Sequence, residues 1–406
     1  MINTTERLTF EAQTALIQRC IKEGVELETA LQELRLDYNS LCYRHSAPHS
    51  TLFDAAQIAV PSRCLADFNS SPHRVPVVSF FSGAGGLDLG FEAAGFYHLA
   101  SIELNELACE TLRKNRASWA VLGPPLHSGD ICNRDEYTHL LRQQLGIKAP
   151  FEGVFHGGPP CQSFSIAANQ RFAKGDQNFK RTGFSSEKYG NLLFDYIWYI
   201  QEFLPRAFLI ENVAGLLEMD GGEQLNLAIN LLRSAGYEIT TPTVINAADY
   251  SVPQNRLRVF VLGTRNSASI PLPPKSAAPV PCHAALVASL DKAQNHITRQ
   301  HKADSVLRYM ELRYGQRDAL GRVDRLDPRF ASKTVIAGGM KGGGRSHLHP
   351  EIPRTLSVRE SARLQTFPDD YIFYGPSARQ FTQVGNAVPP LLAMQIAEQI
   401  YHAVYA

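Results

Sequence analysis

The sequence predicts an α/β protein built on a doubly wound sheet, and three observations carry that expectation. From Val75 onward, short apolar runs of strand length alternate with stretches of helical spacing. The first run ends in a glycine turn, Ser82-Gly83-Ala84-Gly85-Gly86, that opens into a helix. A second run, Tyr97 to Ile102, ends at Glu103, twenty residues after Gly83. At that interval an acid can take the ribose hydroxyls of a nucleoside approached by a glycine loop.

Before Val75 the pattern is helical. Glu11 to Glu23 has apolar or small residues at helical spacing and is closed by Gly24. Leu27, Ala30, Leu31 and Leu34 mark a second short helix, and Leu41-Cys42 are expected in a third. With Tyr38, Asn39, Tyr43 and Arg44 beside them, these helices resemble a helix-turn-helix. A packing or dimer-forming extension is the competing reading. Residues 1–74 are expected to be a separate helical extension.

The first strand is Val75 to Phe81, and Leu87, Leu89, Phe91, Ala94 and Gly95 begin the helix after the glycine turn. Phe151–Phe155, Ala207–Ile210 and Arg258–Leu262 read as further strands, with Leu192–Phe203 and Glu223–Ser234 as helices between them. After Gly263 a run of prolines (271, 273, 274, 279, 281) signals a boundary. Ser357 can cap a later helix and Glu360 can complete its capping box. The expected organisation is a catalytic domain over 75–263 completed by 376–406, with a smaller irregular domain over 264–375.

At 406 residues with 44% apolar and 19% charged content, the chain has material for a large core. No run of 18 apolar residues exists, and the first residues lack the basic start and apolar stretch of a secretory leader. Seven cysteines with no CxxC pair argue against a disulfide framework or a structural zinc site, and for a reducing cytosol. The net charge of +1 is unevenly spread. Arg265 to Pro350 holds 14 Lys or Arg against 6 Asp or Glu, a footprint suited to nucleic acid or simply a solvated basic face.

The chemistry concentrates in Gly157-Gly158-Pro159-Pro160-Cys161-Gln162-Ser163-Phe164-Ser165 and in Glu211-Asn212-Val213. Two glycines free the backbone and two prolines fix it, which presents Cys161 on a rigid turn. Glu211 follows the apolar run Ala207–Ile210 and is expected at the carboxyl end of a strand, where open α/β sheets bind ligands. A positioned thiol facing a positioned carboxylate suggests covalent catalysis with proton assistance.

Together these runs resemble the DNA (cytosine-5) methyltransferases of bacterial restriction-modification systems, over residues 75 to 400. Phe81-Ser82-Gly83-Ala84-Gly85-Gly86 matches that family's methionine-binding loop, Glu103 its ribose-binding acid and Asp130 its adenine-side contact. The PPCQSFS run matches the nucleophile loop, Glu211-Asn212-Val213 its carboxylate partner, and Gln254-Asn255-Arg256-Leu257-Arg258 the QxRxR motif. Arg359-Glu360-Ser361-Ala362-Arg363-Leu364-Gln365 and Gln383-Val384-Gly385-Asn386 match two closing motifs. One departure is Ser79, where the family usually has aspartate, a change not expected to abolish cofactor binding.

The resemblance implies a Rossmann-like domain that uses S-adenosylmethionine and releases S-adenosylhomocysteine, with a target-recognition domain beside it. Its cofactor residues would be Phe81, Ser82, Gly83, Gly85, Gly86, Glu103, Asp130, Ile131, Pro159, Leu192, Asn386 and Ala387, with no metal. Cys161 would attack cytosine carbon 6, Glu211 would assist at ring nitrogen 3, Arg258 would reach oxygen 2, and Arg256 would position base and loop. The target atom is unreachable inside a duplex, so the base must be flipped out. Ser163, Arg171, Lys174, Arg256, Arg325, Lys333, Thr334 and Arg345 are the candidate DNA contacts. The partners implied are double-stranded DNA and a restriction endonuclease acting on the same site, for a monomeric enzyme of the bacterial cytoplasm. A tRNA methyltransferase with the same motifs, and a promoter-binding regulator, are the alternatives.

Overall fold

The computed structural model describes residues 8–47, 65, 72–160, 192–265, 269–288, 290, 293–320, 323–337 and 347–406. Cys161, Ser163, Arg171, Lys174 and Arg345 lie outside them. The described residues fall into two compact units, one from Leu65–Tyr250, Arg256–Ser276 and Ala387–Ala406, the other from Met1–Cys64, Ser251–Asn255 and Ala277–Asn386.

The first unit is the doubly wound sheet. Its strands are β1 (Pro76–Phe80), β2 (Tyr97–Ile102), β3 (Val121–Leu122), β4 (Val154–Gly157), β5 (Ala207–Val213), β6 (Tyr237–Ile239), β7 (Thr243–Asn246) and β8 (Leu257–Arg265). They lie in the order β3-β2-β1-β4-β5-β8-β6, with β7 also on β8. The first five of that row run parallel, while β8 is antiparallel to β5, β6 and β7. The winding reverses between β1 and β4, which makes the loops after these two strands the walls of the ligand crevice.

One sheet face is aromatic. Val78 and Phe80 alternate out of β1 onto it, and Phe80 lies 5.1 Å from Phe155, 4.9 Å from Tyr196 and 5.3 Å from Tyr199, between ring centroids. The helix Leu192–Phe203 covers this face because Leu193, Tyr196, Ile197 and Ile200 fall on one stripe, all of them buried. The opposite face is covered by the helix Gly86–Ala93, which packs against the helix Pro390–Val404. A Cβ on Gly90 would sit 2.4 Å from the Ala393 Cβ and 2.6 Å from the Met394 nitrogen. The two backbones touch there, so only glycine fits.

Two strands differ from expectation. β4 begins at Val154 rather than Phe151, because the Phe151 amide donates to Phe203 O instead of joining the ladder. β5 runs on through Val213, so Glu211 lies within the strand, paired in register with Phe260 of β8, and does not follow its end.

In the second unit the amino-terminal helices share a core with later sequence. The helix Phe10–Glu23, capped by the Thr9 side chain and closed by Gly24 at φ 67°, buries Leu16, Ile17 and Cys20. With Leu27, Ala30 and Leu31 of the helix Leu27–Glu33, these residues pack on Val306 and Met310 of the helix Ala303–Met310. The third helix expected at Leu41-Cys42 is absent; a short 3-10 turn at Tyr38–Ser40 is followed by extended chain. The side chains that suggested a helix-turn-helix are engaged inside this unit. The Tyr38 hydroxyl bonds His301 O, the Tyr43 hydroxyl donates to His349 O, and Arg44 makes a two-pronged pair with Glu311.

Arg325 needs the same correction. Expected at DNA, it is fully buried, its guanidinium between the rings of Tyr43 and Tyr314 at 3.6 and 3.9 Å. It donates to Pro350 O, Leu312 O and His45 O. Those acceptors and the lack of exposure leave it a structural cation. The Ser357 capping box forms as expected, and its Glu360 is also gripped by Arg354 through two bonds of 2.8 Å. Among the described residues no helix is long and apolar enough to cross a membrane.

Substituting Gly90→Ala should lower the stability of the sheet unit by about 1–3 kcal/mol, read from urea denaturation, because backbone must shift to admit the methyl group. An unchanged midpoint would contradict the close approach. Burial lowers the pKa of His349 to about 3, and Glu360 opposes that shift only in part. An unfolded histidine takes up its proton near 6.5, so the unfolded chain binds more protons below that pH. Stability from this group is therefore complete above about pH 6.5 and declines toward pH 3. Glu360 acts in the same direction at lower pH: burial opposes its ionisation, but Arg354 holds its pKa well below the ordinary carboxylate range. Replacing His349 with Leu should flatten the loss between pH 7 and pH 4.5; parallel curves for the two proteins would refute this.

Candidate active site

The crevice walls begin at β1. Its loop turns sharply, with positive φ at Phe81 (56°), Gly83 (55°) and Gly85 (79°), and Gly85 caps the helix that follows. The Ser82 amide reaches Ile102 O of β2, and the Gly83 amide donates to Glu103 Oε2 at 2.7 Å. The other oxygen of Glu103 accepts from the Asn105 amide at 2.6 Å. Lost hydration raises the pKa of Glu103, and these amide bonds oppose the rise. Two glycines set the height of this acid. A Cβ on Gly123 would lie 2.1 Å from Glu103 O, and one on Gly129 2.3 Å from the same oxygen.

Beside Glu103 the apolar Leu104 side chain stands 53% exposed, and the Asp130 carboxylate is exposed, capping the Cys132 amide. A hydroxyl acceptor, an apolar surface and a second carboxylate together fit a nucleoside. The other expected cofactor residues divide. Gly86 and Ala387 meet: a Cβ on Gly86 would be 3.0 Å from the Ala387 Cβ and 2.2 Å from Val388 O. The side chains of Ile131 and Leu192 are buried in the aromatic-side core. Asn386 is exposed at the end of the helix Ser377–Asn386 in the other unit.

The second wall follows β4. Register sets its chemistry, because Val213 of β5 faces Arg258 of β8 and Glu211 is therefore the diagonal neighbour of Arg258 on the same face. Arg258 Nε lies 2.9 Å from Glu211 Oε1, with only 16% and 12% of the two side chains exposed. Arg256 is fully buried close by, its pKa lowered first by burial and then by the charge of Arg258. Its backbone is fixed by Asn246 and Ala247. The turn that leads to Cys161 is held against this pair. A Cβ on Gly158 would come within 2.9 Å of Glu211 Oε2, and Asn212 Nδ2 donates to Pro159 O at 3.3 Å.

In the other unit, Thr334 donates to Asn255 O at 2.7 Å, and Lys333, with 60% of its side chain exposed, pairs with Asp324. Sequence reasoning passed over Leu104 and Gly123 as parts of this architecture, and it did not foresee that Asn212 holds the Pro159 carbonyl. Glycine count carries no signal for Gly123, since its need arises from a carbonyl twenty residues earlier.

A reversed parallel sheet, a glycine loop joined to a strand-end acid, and a second loop pinned over a carboxylate–arginine pair define a Rossmann-like methyltransferase. Residues 75–402 match the model of the C-5 cytosine-specific DNA methylases, and the chain belongs to that family. It is 32% identical over 394 residues to the Type II methyltransferase M.PspPI of Psychrobacter, covering 87% of each chain. To M.Eco47II of Escherichia coli it is 29% identical, covering 86% of this chain and 84% of that one. Among solved structures, a prophage-encoded DNA modification methyltransferase of E. coli superposes with a TM-score of 0.65 at 25% identity, covering 82% of this chain and all of that one. The S. pombe Dnmt2 methyltransferase, at 15% identity and a TM-score of 0.54 over 82% of this chain and all of that one, shares the fold. The protein is thus a DNA cytosine-5 methyltransferase.

Substituting Gly158→Ala should lower kcat for methyl transfer by roughly 10-fold or more while leaving cofactor affinity unchanged, since the new methyl displaces the Glu211 carboxylate. Single-turnover kinetics beside cofactor titration separate the two; weakened cofactor binding with normal kcat would reverse the assignment.

Proposed function

We propose that this enzyme methylates carbon 5 of a cytosine within one short duplex sequence, as the modification half of a restriction-modification system in the bacterial cytoplasm. The observation that carries the reading is the Glu211–Arg258 pair at the foot of the Gly158-Pro159-Pro160 turn. The names of the relatives, Type II methyltransferases, support a cognate endonuclease that cuts the same site. An enzyme that modifies one strand at a time can act as a monomer.

Carbon 5 of cytosine is a poor nucleophile. Cys161, as a thiolate, adds to carbon 6 of the flipped base and pushes electron density to carbon 5. Glu211 delivers a proton to ring nitrogen 3 as negative charge builds there, and Arg258 hydrogen-bonds oxygen 2. Arg256, fully buried, adds positive charge that would favour ionisation of the Cys161 thiol. Glu103 would hold the ribose hydroxyls of the cofactor, Asp130 its adenine, and residues 81–86 its amino-acid end. When bound there, S-adenosylmethionine supplies an electrophilic methyl group. Once carbon 5 carried that methyl and S-adenosylhomocysteine had left, the carbon-5 proton would pass to water, and Cys161 would be expelled as Glu211 takes back the proton from ring nitrogen 3. Arg256, expected among the DNA contacts, has no exposed surface to offer DNA, and Ser163, Arg171, Lys174, Lys333, Thr334 and Arg345 remain the candidates.

Bisulfite sequencing of plasmid DNA from cells expressing the chain, with Cys161→Ala beside it, tests the reading. Modified cytosines at one short motif, lost in the variant while cofactor binding persists, are expected. Folded, cofactor-binding protein that leaves the DNA unmodified would overturn it in favour of an RNA substrate.

A further inference from the structure

The sheet face beneath the helix Gly86–Ala93 carries a polar cluster that methyl transfer does not use. In register, Val77 of β1 pairs with His98 of β2 and Ser79 with His156 of β4, so both imidazoles emerge on the face that Asp88 covers from the helix. Asp88 and His156 have no exposed surface, and the His98 side chain is 2% exposed. His98 Nε2 lies 3.3 Å from Asp88 Oδ1 and 2.6 Å from Ser101 Oγ, and the Ser101 hydroxyl donates to Asp88 Oδ1 at 3.0 Å.

His156 is the anomaly. Its ring stacks on Phe91 at 4.4 Å, yet neither ring nitrogen has a hydrogen-bond partner, and Nδ1 of His98 has none either. A buried polar atom left without a partner is unfavourable, so the cluster asks for an occupant. One ligand atom from each of Asp88, His98 and His156 lies within 4.8 Å of the other two.

We propose that Asp88, His98 and His156 form a binding site for a divalent transition metal of the zinc class, outside the methyl-transfer chemistry. Two imidazoles and a carboxylate from three separate elements are the donor set such ions take, and Ser101 Oγ or a water completes four. Burial lowers the pKa of His156 to about 4, which keeps it in the neutral form that metals bind. Burial works against ionisation of Asp88, but hydrogen bonds from His98 and Ser79 together with the two neighbouring imidazoles lower its pKa, leaving the negative charge that a cation needs. Zinc bonds of about 2.0–2.1 Å span at most about 4.2 Å between ligands, so binding draws the widest pair inward. A water is the rival occupant, because its longer hydrogen bonds suit the open spacing. The site uses no cysteine, and cysteine spacing therefore carried no sign of it.

The test needs no methyltransferase assay and is independent of the catalytic reading. Full-length protein stripped with chelator is loaded with cobalt(II) or zinc, passed through gel filtration, and measured for metal content, visible absorption and thermal midpoint. About one equivalent retained, a cobalt spectrum without thiolate charge transfer, a raised midpoint, and at least 10-fold weaker retention in His156→Leu would support the site. His98→Gln serves if the first variant misfolds. No retained metal, or retention with thiolate charge transfer that survives both substitutions, would overturn it and leave the cluster to water.

Discussion

The antiparallel register of β5 and β8 is the constraint on which the rest of the sheet unit depends. It sets Val213 against Arg258, and so places Glu211 beside the Arg258 guanidinium on one face. Every neighbouring feature is fitted to that pair. Gly158 must lack a side chain because Glu211 Oε2 occupies the space, and Asn212, on the other face of β5, reaches Pro159 to hold the turn. A one-residue slip of β8 would turn Arg258 to the opposite face and dismantle the arrangement without altering any single contact within the turn.

The wall around Glu103 obeys a different rule, close approach of backbones. Glu103 is positioned by amides at its carboxylate and by two glycines at its carbonyl. The Gly86–Ala93 helix is positioned by glycines that let it lie against Val388 and Ala393. Side chains supply chemistry at both walls, while missing side chains set the distances.

Much of this was legible in sequence because it is local. Strand length, helical spacing, the glycine turn and the capping box at Ser357 each depend on neighbours in the chain, and β2, the helix Leu192–Phe203 and the helix Glu223–Ser234 fall where spacing placed them. What depends on distant pairing was not legible. Glu211 looked like a strand end because the apolar run stops at Ile210, but β8 supplies hydrogen-bond partners for three more residues. The cluster of Asp88, His98 and His156 is scattered over the sequence and converges only through β1.

The basic stretch after Arg265 shows why charge alone misleads about function. Counting treats Arg325 and Lys333 alike. The structure separates them, since one is sealed between Tyr43 and Tyr314 while the other keeps most of its side chain in water. A buried guanidinium can be stable only where carbonyls accept its protons, and three such carbonyls converge on Arg325. One comes from His45, so the amino-terminal segment is part of what allows that charge to be buried. Loss of residues 8–47 would expose an interior cation and the apolar faces of Val306 and Met310 together. The segment that resembled an added DNA-reading module is thus a wall of the unit in which it is found.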